Sequence, residues 1–144
     1  MTPDDDTLGA APPLRVLCVD DNRDAADSEA DLLNVVGFDA RACYDGPAAL
    51  AEAAGFRPGV CLIDLNMPGM EGDELAVRLR EQSGGACPPV LVAVTAMSDE
   101  ASRARVRGAG FALHLVKPVD PHDLLAVLDE LWQTWFAAGT TTRK

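Results

Sequence analysis

Apolar positions along this 144-residue chain fall into short runs separated by stretches in which apolar residues recur every three or four positions. The first run, Leu14 to Val19, is nearly continuous, as expected of a strand covered on both faces of a parallel sheet. Asp20, Asp21 and Asn22 interrupt it. A helix follows over about Arg23 to Val36, with Leu33 and Val36 on its inner face and Gly37 as its stop. Phe38 to Cys43 alternates apolar Phe38, Ala40 and Ala42 with Asp39 and Arg41, the pattern of an edge strand. The same reading gives a short helix from Pro47 to about Ala54, a strand at Val60 to Ile63 and a helix near Asp73 to Gln82. A strand at Val90 to Val94, a helix near Asp99 to Arg107, a strand at Ala112 to Val116 and a helix from about Pro121 to Ala137 complete it.

Strands alternating with helices across short connections leave little topological freedom. Right-handed crossovers predict an α/β fold, an open, doubly wound, five-stranded parallel sheet with helices on both faces. In such sheets ligands bind outside the carboxyl ends of the strands. Those ends carry Asp20 and Asp21 (first strand), Asp64 (third), Thr95 (fourth) and Lys117 with Pro118 (fifth). Two carboxylates about 5 Å apart repel by about 3 kcal/mol at an effective dielectric near 20, so the cluster calls for cations. Lys117 supplies one, and Mg²⁺ suits the hard oxygen donors as the other. A lone aspartate ending a strand reads as a helix cap or turn former. Three acids, a hydroxyl and a lysine at one end of one sheet ask for more than capping.

Composition narrows the class. At 48% hydrophobic residues the chain is long enough for one domain with a real core. Its net charge of −11 argues against a nucleic-acid surface and for protein partners or bound cations. Cys18, Cys43, Cys61 and Cys87 form no C-x-x-C pair and read as reduced thiols of a cytoplasmic protein. No apolar stretch approaches the roughly 18 residues of a membrane span, and the start lacks a signal peptide's basic residues. Residues 1–13, acidic and rich in Pro and Ala, are expected to be a disordered tail, with Asp4, Asp5 and Asp6 a solvated charge run. The domain is expected over 14–138, and 139–144 as a flexible polar tail.

The motifs V-D-D-N at 19–22, D-L-N-M-P-G-M-E-G at 64–72, V-T-A at 94–96 and V-K-P at 116–118 resemble those of a receiver domain of two-component response regulators. Y-D-G at 44–46, G-A-G at 108–110 and P-V-D-P at 118–121 agree more weakly, and the resemblance spans roughly 14–137. It implies a flavodoxin-like sheet of order 2-1-3-4-5, with Asp64 as phosphoacceptor. Asp21, Asp64 and the main-chain carbonyl of Asn66 would ligate Mg²⁺, with Asp20 holding it through water. Thr95 would hydrogen-bond the phosphoryl group, Lys117 would pair with it, and the Lys117–Pro118 bond would be cis. Asn66 and Met97 would occupy places that tune hydrolysis. Phosphorylation would come from a histidine kinase or a histidine phosphotransfer protein. Chemistry agrees: a carboxylate attacks an anionic phosphoryl group only where charge is neutralised, and Pro68 with Gly69 lets the loop after Asp64 turn sharply.

Three other readings compete with this one. An aspartate-nucleophile phosphohydrolase would want a second acid where Asn66 stands. A non-phosphorylated docking module would not need every acid, the Thr and the Lys. A fragment of a hybrid kinase or larger regulator is disfavoured by the initial Met and the polar end T-T-T-R-K, so a stand-alone regulator signalling through partner binding is expected. Candidate contacts for a downstream protein or a second copy are Arg103, Arg105 and Arg107, a basic cluster, and Trp132 and Phe136 with Leu125 on the flank of the last helix. Leu124, Leu128, Leu131 and Trp135 would face the sheet.

His114 departs from the family, which usually carries Tyr or Phe three residues before the lysine. Besides a plain packing role, it is a candidate switch with Thr95: the ring would move inward on phosphorylation. An imidazole charges near neutrality, and a charged ring would resist an apolar groove.

Overall fold

The computed structural model of the chain describes residues 13–83, 88–96 and 99–142, of which 134–142 as backbone alone. The tail expected at 1–13, apart from Pro13, lies outside the described residues, as do Cys87, Met97, residues 143–144 and the side chains of Trp135 and Phe136. The elements alternate as β1 (Arg15–Val19), α1 (Arg23–Val35), β2 (Asp39–Cys43), α2 (Gly46–Phe56), β3 (Val60–Asp64), α3 (Gly72–Ser83), β4 (Val90–Thr95), α4 (Glu100–Ala109), β5 (Leu113–Val116) and α5 (Pro121–Thr142). All strand pairs are parallel, in the order β2-β1-β3-β4-β5. This is the expected flavodoxin-like sheet, with β2 at an edge as its alternation predicts.

Side chains alternate across a strand, so the sheet carries two cores. Leu17, Val19, Cys61, Ile63, Leu91 and Ala93 pack with Phe56 of α2, Leu75 and Leu79 of α3 and Val106 of α4. Val16, Cys18, Val60, Leu62, Val92 and Val94 pack on the other side with Ala30 and Leu33 of α1 and Leu124 and Leu128 of α5. Burying one such Leu or Ile is worth about 1.5–3 kcal/mol, and a one-residue slip would send every side chain to the wrong core. The register is therefore fixed. Val19 pairs with Ile63, Asp64 with Val94 and Thr95 with Val116, which brings the strand ends to a common rim.

Helix starts follow capping chemistry. The side chain of Asn22 accepts from the Ala25 N–H at 3.2 Å, that of Asp45 from Ala48 at 2.8 Å and that of Asp99 from Ser102 at 2.9 Å. Asp45 thereby begins α2 at Gly46, and the helix runs to Phe56, longer than the expected span from Pro47 to Ala54. The last helix runs to Thr142 rather than ending at about Ala137. No proline interrupts that stretch, and the lone Gly139 costs a helix only about 1 kcal/mol relative to Ala.

Two glycines shape the loop after β3. Gly69 sits at φ +80°, a left-handed conformation that turns the chain at low cost. Gly72 begins α3 against the end of β3, where a Cβ would fall 2.4 Å from the Asp64 carbonyl oxygen and 2.8 Å from the Leu65 Cα. A side chain at 72 would push α3 off the strand end.

Candidate phosphoryl-transfer site

The residues expected at the strand ends do meet. Asp20 is buried; its Oδ1 accepts from the Asn22 N–H at 2.9 Å and its Oδ2 lies 2.8 Å from the Lys117 Nζ. Asp64, last residue of β3 and 7% exposed, has its Oδ2 3.6 Å from the same Nζ. Asp21 is exposed beside them, and carboxylate oxygens of Asp20, Asp21 and Asp64 lie within 4.8 Å of one another. Thr95 ends β4 fully buried, and its carbonyl accepts the Lys117 N–H at 2.8 Å, which seats the lysine at the rim. The Lys117–Pro118 bond is cis, as expected.

Charge is unbalanced here. Burial pushes the Asp64 carboxyl up to about 6, against the pull of Lys117 and with the field of Asp20 adding to the rise. Burial alone would lower the Lys117 ammonium, but its hydrogen bond to Asp20 and the fields of Asp64 and Asp20 prevail and raise it. A fourth acid, Glu29 of α1, was missed in the sequence: burial and then the field of Asp20 push it up to about 7. The signal was its place in the inner stripe formed by Ala26, Ala30 and Leu33. One lysine does not neutralise this set. Three hard oxygen donors converging around excess negative charge fit a divalent cation of the Mg²⁺ type.

The loop beyond Asp64 is tied down from α4. The Arg105 guanidinium makes a two-point contact with Asp73, Nε to Oδ2 and Nη2 to Oδ1, both at 3.0 Å. Its Nη1 donates to Asn66 Oδ1 at 2.9 Å and its Nη2 to the Leu65 carbonyl at 3.2 Å, with Glu71 as a further partner. The hydrogen bond from Arg105 lowers the Asp73 carboxyl below its usual range. Across the loop, the Asn66 Nδ2 lies 3.5 Å from Thr95 Oγ1, at the outer limit of a hydrogen bond. The Asn66 N–H points back to Asp64 Oδ1 at 3.3 Å.

Arg105, one of the three arginines expected at a partner surface, makes these contacts within the molecule. Arg103 and Arg107 do stand on the solvent side of α4, 3.1 and 3.7 Å from the carboxylate of Glu100. Trp132 is half-buried and packs with Leu125 and Leu131 against the α1/α5 core, so it is not an exposed flank ring; the Phe136 side chain lies outside the described residues. Large apolar side chains are exposed at Leu113 and Val116 on β5 and, more so, at Val35 and Val36 at the end of α1, so Val36 does not lie on the inner face expected for it. His114 of β5 pairs with Ala93, and its Nε2 is buried with no hydrogen-bond partner among the described residues.

A family model for the response regulator receiver domain matches residues 16–129. The sensory transduction protein RegX3 of Mycobacterium tuberculosis is 37% identical over 111 residues, 77% of this chain and 47% of that protein. The DNA-binding response regulator MtrA of the same species is 33% identical over 112 residues, 78% of this chain and 47% of that protein. The chain thus spans about half the length of these curated relatives. Among solved structures, the chemotaxis protein CheY4 of Vibrio cholerae superposes with a TM-score of 0.76 at 30% identity, over 82% of this chain and 98% of that one. Among the described residues, no helix is long and apolar enough to cross a membrane.

Proposed function

The chain belongs to the response regulator receiver domain family, and from that premise we propose that Asp64 accepts a phosphoryl group from a histidine kinase or a histidine phosphotransfer protein. The observation that carries this reading is the meeting of Asp20, Asp21 and Asp64 with Lys117 at the carboxyl ends of β1, β3 and β5. Asp64, ionised, attacks phosphorus; a bond forms from its carboxylate oxygen to phosphorus as the bond from phosphorus to the donor imidazole breaks. Lys117 offsets charge on the transferring group, and the Thr95 hydroxyl donates to one of its oxygens. Asp21, Asp64 and the Asn66 carbonyl, with Asp20 through water, would hold Mg²⁺, which supplies the remaining neutralisation. Hydrolysis ends the signal when water attacks phosphorus, the bond to Asp64 breaks and the water proton leaves with solvent.

The phosphorylated surface then recruits a downstream protein or a second copy through α4, β5 and α5. The exposure of Leu113 and Val116 on β5, and of Arg103 and Arg107 on α4, supports that reading. His114 takes the position of the family's aromatic switch, and its Nε2 is buried with no hydrogen-bond partner among the described residues.

Acetyl phosphate tests the central claim. With Mg²⁺, the parent should acquire an acid-stable, base-labile adduct that chelation prevents. Equal labelling of Asp64→Ala would remove Asp64 as phosphoacceptor.

A further inference from the structure

Arginine has five N–H donors and no acceptor, so the oxygen of any side-chain amide bound to it must face it. Arg105 Nη1 holds Asn66 Oδ1 at 2.9 Å, and the other end of the same amide, Nδ2, is thereby turned toward Thr95 Oγ1, 3.5 Å away. Without that partner the amide could rotate by a half-turn and present an acceptor to the rim. An acceptor there would repel a phosphoryl oxygen, whereas a donor attracts it. The guanidinium itself is not free to swing, because Asp73 grips it at two points and the Leu65 carbonyl and Glu71 occupy Nη2.

We propose that Arg105 is a positioning residue that fixes the Asn66 amide with its NH₂ toward Thr95, and so sets how fast the phosphoryl group is gained and lost at Asp64. This rests on the phosphoacceptor reading above. In both transfer and hydrolysis negative charge spreads over the equatorial oxygens of the phosphoryl group, and a donor already in place costs no reorganisation at that moment. A substitution at 105 leaves the amide present but unoriented. Its effect is therefore smaller than the roughly hundredfold loss typical of deleting a preorganised donor. The Arg105 side chain is 29% exposed, so polar replacements are compatible with folding.

The experiment follows phosphorylation by acetyl phosphate, and decay after the donor is removed, in the parent, Arg105→Gln, Arg105→Lys, Asn66→Ala and the Arg105→Gln/Asn66→Ala double variant, with thermal denaturation of each. Arg105→Gln is expected to slow both rates by about five- to tenfold. Arg105→Lys, also a pure donor, should recover part of that loss. In the Asn66→Ala background, Arg105→Gln should change the rates less than about twofold, since two residues acting through one contact are not additive. An equal loss with and without Asn66 would assign Arg105 a structural role and overturn the proposal, as would unchanged rates in Arg105→Gln. A parent that never labels would overturn the phosphoacceptor reading and this inference together; a labelled parent with an indifferent Arg105 overturns the inference alone.

Discussion

Lys117 contacts Asp64 and Arg105 the loop that follows it, with nearly the same exposure, 30% and 29%, yet they are held in different ways. Lys117 is a point charge on a flexible stem, shared between Asp20 at 2.8 Å and Asp64 at 3.6 Å. Its partners can be exchanged when charge arrives at the rim. Arg105 is a rigid fork with fixed partners in one loop. Their carboxylates respond in opposite directions: Asp64 is pushed up to about 6 mainly by burial, while Asp73 is lowered by its hydrogen bond to Arg105. An ion pair at the rim holds chemistry in reserve, and one at the loop holds shape.

The largest test of that contrast removes the reacting cation. Lys117→Met should slow acetyl phosphate labelling by roughly a hundredfold or more, beyond the loss at Arg105, and a smaller deficit than Arg105→Gln would erase the distinction. Shape is tested next at Gly72, whose missing Cβ lets α3 abut the Asp64 carbonyl. Gly72→Ala should lower stability by about 2–3 kcal/mol in urea titrations.

The pH dependence of stability separates the two carboxylates further. Asp64 rises from 3.8 to about 6 and Glu29 from 4.5 to about 7. A raised folded pKa favours the folded state at low pH, and that contribution is lost as pH climbs through the folded value. In a divalent-free buffer, stability should therefore increase as pH falls from 7.5 toward 4.5. Asp73, lowered, acts in the other sense: its contribution is present above 3.8 and lost as pH falls below that. Asp64→Asn should raise stability at pH 7.5 by about 1–2 kcal/mol and flatten the curve between 4 and 6; Glu29→Gln should flatten it between 4.5 and 7. The smallest effect concerns His114: His114→Phe should keep partner binding by the phosphorylated form, and loss of that binding would show that the imidazole itself is needed.

Much of this was legible in the chain. The apolar runs at 14–19, 60–63 and 90–94 named the central strands because strands buried on both faces have no polar alternation to confuse them. Their carboxyl ends named Asp20, Asp64 and Thr95 because a parallel sheet puts every such end at one rim. The contacts of Arg105 were not legible because they depend on how α4 packs beside the loop after β3, and its partners Asp73 and Asn66 lie 32 and 39 positions away in the chain. Nothing local distinguishes it from Arg103 and Arg107. Glu29 was readable in principle, as an acid in an apolar stripe. Trp132 looked exposed because a helix wheel does not show how wide a groove the helix lies in, and α5 shares its core with α1.

The cysteines have a practical consequence of their own. Cys18, Cys43 and Cys61 lie fully inside the sheet, and burial raises each thiol, Cys43 to about 11. Only a thiolate reacts readily with an alkylating reagent, so in the folded protein these sulfurs are silent and modification must wait for the strands to part. In a Cys87→Ser background the chain is its own stopwatch: iodoacetamide should reach Cys43, on the edge strand, sooner than Cys18 and Cys61 in the middle. The interval between the two would time how often the border of the sheet loosens without the centre.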